Sequence, residues 1–316
     1  MEIEQKELVS SALAEVQMHR RKWSAIFGAK TAIWFVWIIS CFYGLAGADD
    51  PFFTFVLQIL LGAAFAHGVE LQHQALHQSG FKSRQMSRFF GVLFGLPMLV
   101  SFSAYQDSHL FHHKKLGTPD DAEFFRYGNK SARRFIAIIK HFFLINHFCD
   151  FLKITIDSLN GIFPTTRLLP GNAKKIRFEY LFMASAFFGS AYVAHHFGSD
   201  VFVKFWIIPL FVFAAPIHAL IELPEHFACD NGSEDVFLNT RTVKTNSFMT
   251  WFTNGNNYHV EHHWLASLPI EKLATIHKSI DTSIQNISPS YLSFYGSFFI
   301  DLIFARSIKR AETTVD

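Results

Sequence analysis

The sequence predicts an all-α integral membrane protein with about four transmembrane helices in two hairpins and a cytoplasmic helical cap. Half of its 316 residues are hydrophobic and 38 of them are Phe, which is a high apolar load for a soluble domain of this length. Four apolar stretches are separated by short turns or by polar segments. Most of the chemistry-bearing histidines fall just outside those stretches, in three tight groups. Together these observations favour a membrane protein with a metal site at one membrane face.

Residues 1–29 form a polar leader that we expect to be helical, because the segment mixes acidic and basic residues without the early apolar core of a signal peptide. The first predicted span, 31–48, has no charge and is close to the roughly 20 residues that a bilayer requires. A turn at 49–51 follows, and Pro51 is suited to the first position of a helix. The second predicted span, 52–66, completes the first hairpin.

The second hairpin is predicted from residues 180–197 and 201–221, which are joined by the short turn 198–200. Between the hairpins, the apolar piece 89–102 is short and interrupted by glycine and proline, so it predicts a re-entrant or membrane-surface element. Residues 135–156 mix charged and apolar side chains and predict an interfacial helix. The whole chain is predicted to be one domain, with a core at 30–280 and a C-terminal tail at 281–316.

The charge distribution predicts the orientation in the membrane. The two outer turns carry mainly Asp49, Asp50 and Asp200. Basic residues lie in the leader and between the hairpins: Arg20, Arg21, Lys22, Lys30, Lys82, Arg84, Arg88, Lys114, Lys115, Arg126, Lys130, Arg133, Arg134, Lys140, Lys153, Arg167, Lys174, Lys175 and Arg177. The positive-inside rule therefore predicts cytoplasmic termini and a cytoplasmic central segment.

Two other classes of function are disfavoured by composition. The net charge of +2 provides no broad basic field for nucleic acid. The three cysteines, Cys41, Cys149 and Cys229, are far apart and odd in number, so they indicate neither a disulfide framework nor a thiolate metal site.

The histidines fall into three groups that we number along the chain. The first histidine group is His73 and His77, the second is His109, His112 and His113, and the third is His259, His262 and His263; His226 follows the fourth predicted span. Spacings of three and four residues bring side chains to one face of a helix, so each group can present its imidazoles in one direction. Neutral imidazole binds iron, zinc, copper and nickel. Nine histidines exceed the needs of one ion and predict a site for two metals.

Histidines outside the groups have a simpler interpretation. His141, His147, His195, His196 and His277 are expected to lie in the headgroup region. His67 is rotated away from the face that carries His73 and His77, so it is not among the predicted ligands.

In the order and spacing of these groups, HxxxH, HxxHH and HxxHH, the chain resembles the membrane fatty acid desaturase superfamily. The resemblance covers roughly residues 30–280 and includes the two hairpins. It implies two non-haem iron ions held by all nine histidines, with His226 matching the family's ninth ligand. The position four residues earlier, where some members have an asparagine that binds through water, is Glu222 here. Glu222 is therefore a candidate ligand or a partner of a metal-bound water.

Glu70 lies three residues before His73 and shares its helix face, so it is a candidate for orienting an imidazole. A solvated glutamate at a helix end is the alternative interpretation of Glu70. No further catalytic side chain is expected, because the family's oxidant is formed at the metal from O₂.

The resemblance implies O₂-dependent oxidation of a lipid or fatty-acyl chain, and introduction of a C=C bond is the first interpretation. A hydroxylase or ketolase of a lipid or terpenoid, such as a carotenoid, is the alternative on the same scaffold. A metal-binding membrane transporter is a third, although the histidine groups lie outside the spans. Because the sequence has no dinucleotide, haem or CxxC motif, electrons are expected from an external ferredoxin or cytochrome. The basic central segment is either the docking surface for an acidic partner or the ordinary positive-inside bias.

Overall fold

The computed structural model describes residues 2–121 and 131–303. Residues 304–316 of the predicted tail, and Arg126 and Lys130 of the basic central segment, lie outside the described residues. The chain divides into two compact units. We call Leu13–Leu110 with Ile139–Leu220 the span unit, and Met1–Ala12 with Phe111–Ile138 and Ile221–Asp316 the C-terminal unit. The single-domain assignment stays a prediction.

Helices make up most of both units. In chain order through the fourth predicted span they are α1 Glu2–Met18, α2 Arg20–Ala46, α3 Pro51–Leu76, α4 Arg84–Gly95, α5 Phe102–Lys115, α6 Ser131–Phe142, α7 Ile145–Leu159, α8 Ala173–His196, a π-helix Val203–Ala214 and α9 Ala215–His226.

The prediction of an all-α membrane protein is confirmed by the length and apolarity of these helices. Three described helices are long and apolar enough to cross a membrane: Arg20–Ala46, Pro51–Leu76 and the continuous segment Val203–His226. The pair Arg84–Met98 and Phe102–Lys115 provides a fourth if it is taken as one broken span. The number of spans is therefore three to four.

The predicted third span, 180–197, differs from the other spans. It lies on α8, Ala173–His196, which is helical and long enough but is not among the three helices that are apolar enough to cross a membrane. The physical reason is its ends: Lys174, Lys175, Arg177 and Glu179 stand in the first turns and His195 and His196 in the last. The interfacial helix predicted at 135–156 is two helices, α6 and α7, because Leu144 adopts a left-handed backbone conformation with φ 48° between them.

The turn between α2 and α3 forms as its sequence predicts. Asp50 is the N-cap of α3, and its side chain accepts a hydrogen bond of 2.7 Å from the backbone N–H of Phe53. Pro51 occupies the first helical position, where its missing N–H leaves no helical bond unmade.

The core of the span unit is built around α3, which packs against α2, α4 and the π-helix. Trp34 of α2 donates a hydrogen bond of 2.8 Å from its ring N–H to the carbonyl of Ala64 in α3. Gly62 allows α3 to approach the π-helix, since a Cβ there would lie 2.5 Å from the Cβ of Phe213. Pro209 lies inside the π-helix, where a wider turn accommodates the absence of its N–H.

Between α4 and α5 the chain turns sharply, with an angle of 97° between the two segments. Leu99 is left-handed, with φ 59°, and the N–H of Val100 donates to the carbonyl of Gly95 at 2.9 Å. A Cβ at Gly95 would lie 2.1 Å from the carbonyl oxygen of Val100, so the bend requires glycine at this position. The predicted re-entrant or membrane-surface element at 89–102 is therefore a bent helix pair.

A buried carboxylate fixes the start of α5. Glu179 of α8 is fully buried and accepts four hydrogen bonds of 2.7–2.8 Å, from Arg88 Nη2, Ser101 Oγ, Ser103 N and Ser103 Oγ. The backbone N–H of Ser103 belongs to the first turn of α5, where helix donors lack internal partners. The same helix is held further along, because the side chain of Asp107 accepts from the backbone N–H groups of residues 167–169.

The C-terminal unit is made of short elements. They are α10 Val236–Asn239, β1 Thr242–Val243, α11 Ser247–Phe252, α12 His259–Trp264, α13 Leu273–Ile280, β2 Ile287–Ser288 and α14 Tyr291–Ile303. The two strands pair in parallel, with Thr242 opposite Ile287 and Val243 opposite Ser288. Gly255 has φ 80°, and a Cβ there would lie 2.2 Å from Ile270, so this turn also depends on glycine.

We expect Glu179→Gln to destabilise the protein, because an amide cannot accept from all four donors and leaves the half-buried guanidinium of Arg88 without its counter-ion. The loss is expected to be on the order of 2–4 kcal/mol. Thermal unfolding in detergent, followed by tryptophan fluorescence, measures it. The control is Asp157→Asn, which removes an i,i+4 surface pair with Lys153 and is expected to cost at most about 0.5 kcal/mol. Equal midpoints for the two variants would contradict this assignment.

Candidate metal centre

Three of the predicted site histidines lie in the span unit. His73 is in the last turn of α3, His77 directly follows that helix, and His109 is on α5. The Nε2 atoms of His73 and His109 are 2.8 Å apart, and the ring of His77 lies 5.0 Å from each of the other two rings. The first histidine group and the start of the second thus converge, as the helical spacing predicts.

The other six lie in the C-terminal unit. His112 and His113 are in the last turn of α5, His226 is the last residue of α9, and the third group forms most of α12. Their Nε2 atoms approach one another in four pairs: His112–His263 at 3.3 Å, His113–His262 at 3.1 Å, His226–His259 at 3.1 Å and His259–His263 at 3.1 Å.

The helical geometry of α12 explains why its three histidines point in two different directions. His259 and His263 are four residues apart and lie on one face, which is why their Nε2 atoms meet. His262 is rotated from that face and meets His113 instead. The HxxHH spacing therefore divides its imidazoles between two neighbouring points.

These distances fit a metal site. A zinc–imidazole bond is about 2.0–2.1 Å, so two nitrogens bound to one ion at right angles lie about 3 Å apart. The observed separations of 3.1–3.3 Å in the C-terminal unit are of this size. The ligand atoms of His112, His226 and His263 all lie within 4.8 Å of one another. An all-nitrogen donor set of this kind suits iron, zinc, copper or nickel.

In three of these histidines an oxygen atom lies close to Nδ1, the ring nitrogen that is not part of the Nε2 cluster. Both carboxylate oxygens of Asp121 lie 2.9–3.0 Å from Nδ1 of His112. The carbonyl of Asn239 lies 3.0 Å from Nδ1 of His226, and Asn256 Oδ1 lies 3.3 Å from Nδ1 of His259. An acceptor at Nδ1 places the proton there and leaves the Nε2 lone pair for a metal.

The sequence analysis did not identify these supporting residues. Glu225 is a further example, since its Oε2 lies 3.4 Å from Nε2 of His259 and its Oε1 accepts a hydrogen bond of 2.7 Å from the amide of Asn256. In the sequence, Asp121 lies near the second histidine group and Glu225 directly precedes His226. This proximity is the only sequence signal that these two residues support the site. The carbonyl of Asn239 carries no signal, because every residue has one.

Among the histidines assigned to the headgroup region, His277 contacts a buried carboxylate. His277 of α13 is close to Glu261, which lies between the ligand candidates of the third group, and its Nδ1 contacts Oε1 of that carboxylate. Thr242 donates a hydrogen bond of 2.6 Å to the other oxygen of Glu261. The sequence analysis did not predict this contact, which forms because a buried carboxylate requires nearby donors and His277 is one of them.

The two glutamates singled out by the sequence lie in different surroundings. Glu70 is buried in α3, and its Oε1 lies 3.5 Å from Nδ1 of His218, a residue the sequence analysis did not select. Glu222 is half-buried on α9, one turn before His226. Among the described residues, it is outside the cluster formed by His112, His226 and His263. Both stay candidates for supporting roles.

Burial controls the protonation of the imidazoles. It lowers the pKa of His263 well below its ordinary value, and nearby His113 and His259 lower it further. Burial followed by the proximity of His73 likewise lowers the pKa of His77 well below the ordinary value. Both rings are therefore neutral at pH 7, which is the form that binds metals.

A comparison with protein families decides what this arrangement belongs to. The model of the family described as fatty acid desaturase matches residues 50–295. The chain belongs to the fatty acid desaturase family. The match includes all nine histidines and the described spans from α3 onward, so the resemblance inferred from the three histidine groups is confirmed.

A curated relative of this desaturase-family protein is the sn-1 acyl-lipid omega-3 desaturase (ferredoxin) of Synechocystis sp.. The two are 23% identical over 285 residues, which cover 84% of this chain and 79% of the relative. Family membership makes the protein an oxidoreductase of the desaturase type. Its apolar helices fit a membrane protein, and its clustered histidines fit the family's histidine boxes.

We expect Asp121→Asn to weaken metal binding by about 10-fold, because the ring of His112 loses the carboxylate that orients it and raises its basicity. Chelator competition with the purified protein, using cobalt(II) or iron(II), measures the affinity. Asp120→Asn is the matched control, since this neighbouring carboxylate is exposed and pairs with Lys115 at 3.4 Å. The same loss in both variants would remove Asp121 from the site.

Proposed function

We propose that this protein introduces a C=C bond into the acyl chain of a lipid, using O₂, two electrons from an external donor and two iron ions. In the overall reaction two carbon-bound hydrogens are removed, and O₂ is reduced to two water molecules with two further protons. Family membership supports the reaction type. The name of the Synechocystis relative, an acyl-lipid desaturase that carries ferredoxin in its description, supports the substrate class and the donor.

The observation that carries the proposal is the convergence of imidazole Nε2 atoms within each unit. A single pair of contacting histidines is common in proteins, but five Nε2 pairs at 2.8–3.3 Å among nine histidines favour a shared metal ligand. Nine neutral imidazoles are a suitable set of ligands for two metal cations. We infer that all nine histidines bind iron: His73, His77, His109, His112, His113, His226, His259, His262 and His263.

Bound iron would supply the O₂ chemistry needed to break an unactivated C–H bond, which no protein side chain provides. The protein's own contribution is to hold the imidazoles in one tautomer and to exclude water. Asp121, Asn256 and the carbonyl of Asn239 fix Nδ1 protons on three rings. The near-complete burial of seven of the nine histidines, from 1% to 8% exposed, keeps bulk water from the site.

Carboxylates near the histidines would offset the charge of two cations. Glu222, one turn before His226, is proposed as a ligand or as a partner of a metal-bound water. Glu70, which is close to His218, is proposed to help orient the imidazoles of the first histidine group. A carboxylate in an apolar segment is costly without such a role.

Electrons would reach the site from the aqueous phase, and the substrate would reach it from the bilayer. A ferredoxin or cytochrome would supply electrons from the aqueous phase, and the basic residues between the hairpins suit an acidic donor. The acyl chain would enter from the bilayer. The positive-inside rule favours a cytoplasmic location for both termini and all three histidine groups.

Activity is expected to depend on the proposed ligands and not on other histidines. His112→Ala and His262→Ala are each expected to abolish turnover and to reduce bound iron below the two ions per chain proposed for the wild type. His195→Ala, which changes an exposed histidine at the end of α8, is the control and should keep both. Expression in a host with defined lipids, followed by mass spectrometry, measures the product.

The mass of the product separates the candidate reactions. Desaturation gives a lipid lighter by two hydrogens, whereas hydroxylation gives one heavier by one oxygen. A product heavier by oxygen would replace desaturation with hydroxylation. Unchanged lipids together with metal transport would replace enzyme function altogether.

The proposed orientation predicts opposite results for two reporter fusions. A reporter fused after Asp49 should be extracytoplasmic, because it follows the first span, and one fused after Asp120 should be cytoplasmic. Alkaline phosphatase and green fluorescent protein fusions in a bacterial host distinguish the two sides. If both fusions report the same side, the proposed arrangement of spans is incorrect.

A further inference from the structure

α14 presents an apolar face that the desaturase assignment does not explain. Leu292 is 84% exposed, Phe299 is 46% exposed and Ile300 is 49% exposed. Leu292, Tyr295 and Phe299 follow the i, i+3, i+7 spacing that places side chains on one face of a helix. A face of this kind is unfavourable in water, so its surroundings need an explanation.

The opposite face of α14 connects the helix to the end of a membrane span. Phe294 and Phe298 are buried, and their rings lie 6.2 Å and 5.2 Å from the ring of Phe227. Phe227 directly follows Val203–His226, which is one of the helices able to cross a membrane. α14 therefore packs against the residue that directly follows α9.

Arg241 stabilises the contact between α14 and Phe227. Its guanidinium lies 5.0 Å from the ring centre of Phe294 and donates hydrogen bonds of 2.6 Å to the carbonyls of Pro224 and Phe227. A cation at the C-terminal end of a helix satisfies carbonyls that have no helical partner. The packing of α14 against the end of α9 is thus fixed by ring contacts and by charge.

A second exposed apolar side chain lies on α11. The parallel pairing of β1 and β2 aligns the two chain directions, so α11 and α14 both start from the same end of the strand pair. Phe248 on α11 is 65% exposed and its ring lies 6.0 Å from that of Trp251. Lys244, which is exposed, stands between β1 and α11.

We propose that α11 and α14 form a monotopic surface that inserts into the headgroup–acyl boundary of the bilayer. Aromatic residues and lysine are the residue types that occupy this boundary, with rings in the acyl region and ammonium groups among the phosphates. The contact with Phe227 joins α14 to the end of α9, which is the last part of a helix long and apolar enough to cross a membrane. This inference rests on the membrane location and is independent of the reaction that the histidines support.

Spin labels on the full-length protein in vesicles test the proposal. Cys41, Cys149 and Cys229 are first replaced by serine, and a nitroxide is attached at Leu292→Cys, Phe248→Cys or, as a control, Glu234→Cys, an exposed site in the same unit. The vesicles contain phosphatidylcholine and phosphatidylglycerol. Collision rates with O₂, which concentrates in lipid, and with a water-soluble nickel complex report the surroundings of each label.

The ratio of O₂ to nickel collisions is expected to be several-fold higher at residues 292 and 248 than at residue 234. A label at residue 292 or residue 248 that meets the nickel complex as often as the control overturns the proposal. Shielding from both reagents with dipolar coupling between labels would assign the face to a second copy of the chain. Shielding that appears only when a ferredoxin is added would assign it to the electron donor.

Discussion

The structure depends on keeping many imidazoles neutral and close together. Two Nε2 atoms at about 3 Å repel when both rings are protonated, and burial removes the water that would stabilise the charge. The depressed pKa values of His77 and His263 are the result of this arrangement. Without a cation the converging lone pairs also repel one another, so the protein must hold the rings by other contacts. Asp121 and Asn256 provide such contacts from the Nδ1 side.

Helix ends provide the positions for these rings. His73 is in the last turn of α3, His112 and His113 are in the last turn of α5, and His226 ends α9. When an apolar helix ends at a polar site, the same helix can cross the membrane and position a candidate metal ligand. The Val203–His226 segment does this within a single helix, since its first part is apolar enough to span a bilayer and its last residue is a candidate ligand.

Much of this arrangement was predictable from the sequence, because spacing and apolarity are local signals. The three histidine groups, the Asp50–Pro51 helix start and the bent element near Pro97 follow from a few neighbouring residues. The contacts of His277 with Glu261 and of Glu70 with His218 were not predictable, since each joins two different helices whose packing the sequence pattern does not give. The break at Leu144 was missed because a left-handed leucine carries no sequence signal. The apolarity of 180–197 was overestimated because Ser185, Gly189, Ser190 and the two histidines at its end were given too little weight.

The Glu179 contact has a consequence for the influence of lipids on the protein. The sequence predicts a span on α8, and a spanning helix meets a bilayer of unmatched thickness by tilting. Glu179 ties α8 to the first turn of α5 through short bonds in a dry interior, and α5 carries His109. A tilt of α8 would therefore move the start of α5 and rotate an imidazole that is 2.8 Å from His73. Bilayer thickness, and not only the chemical identity of the acyl chain, becomes a variable to which the geometry of the site responds.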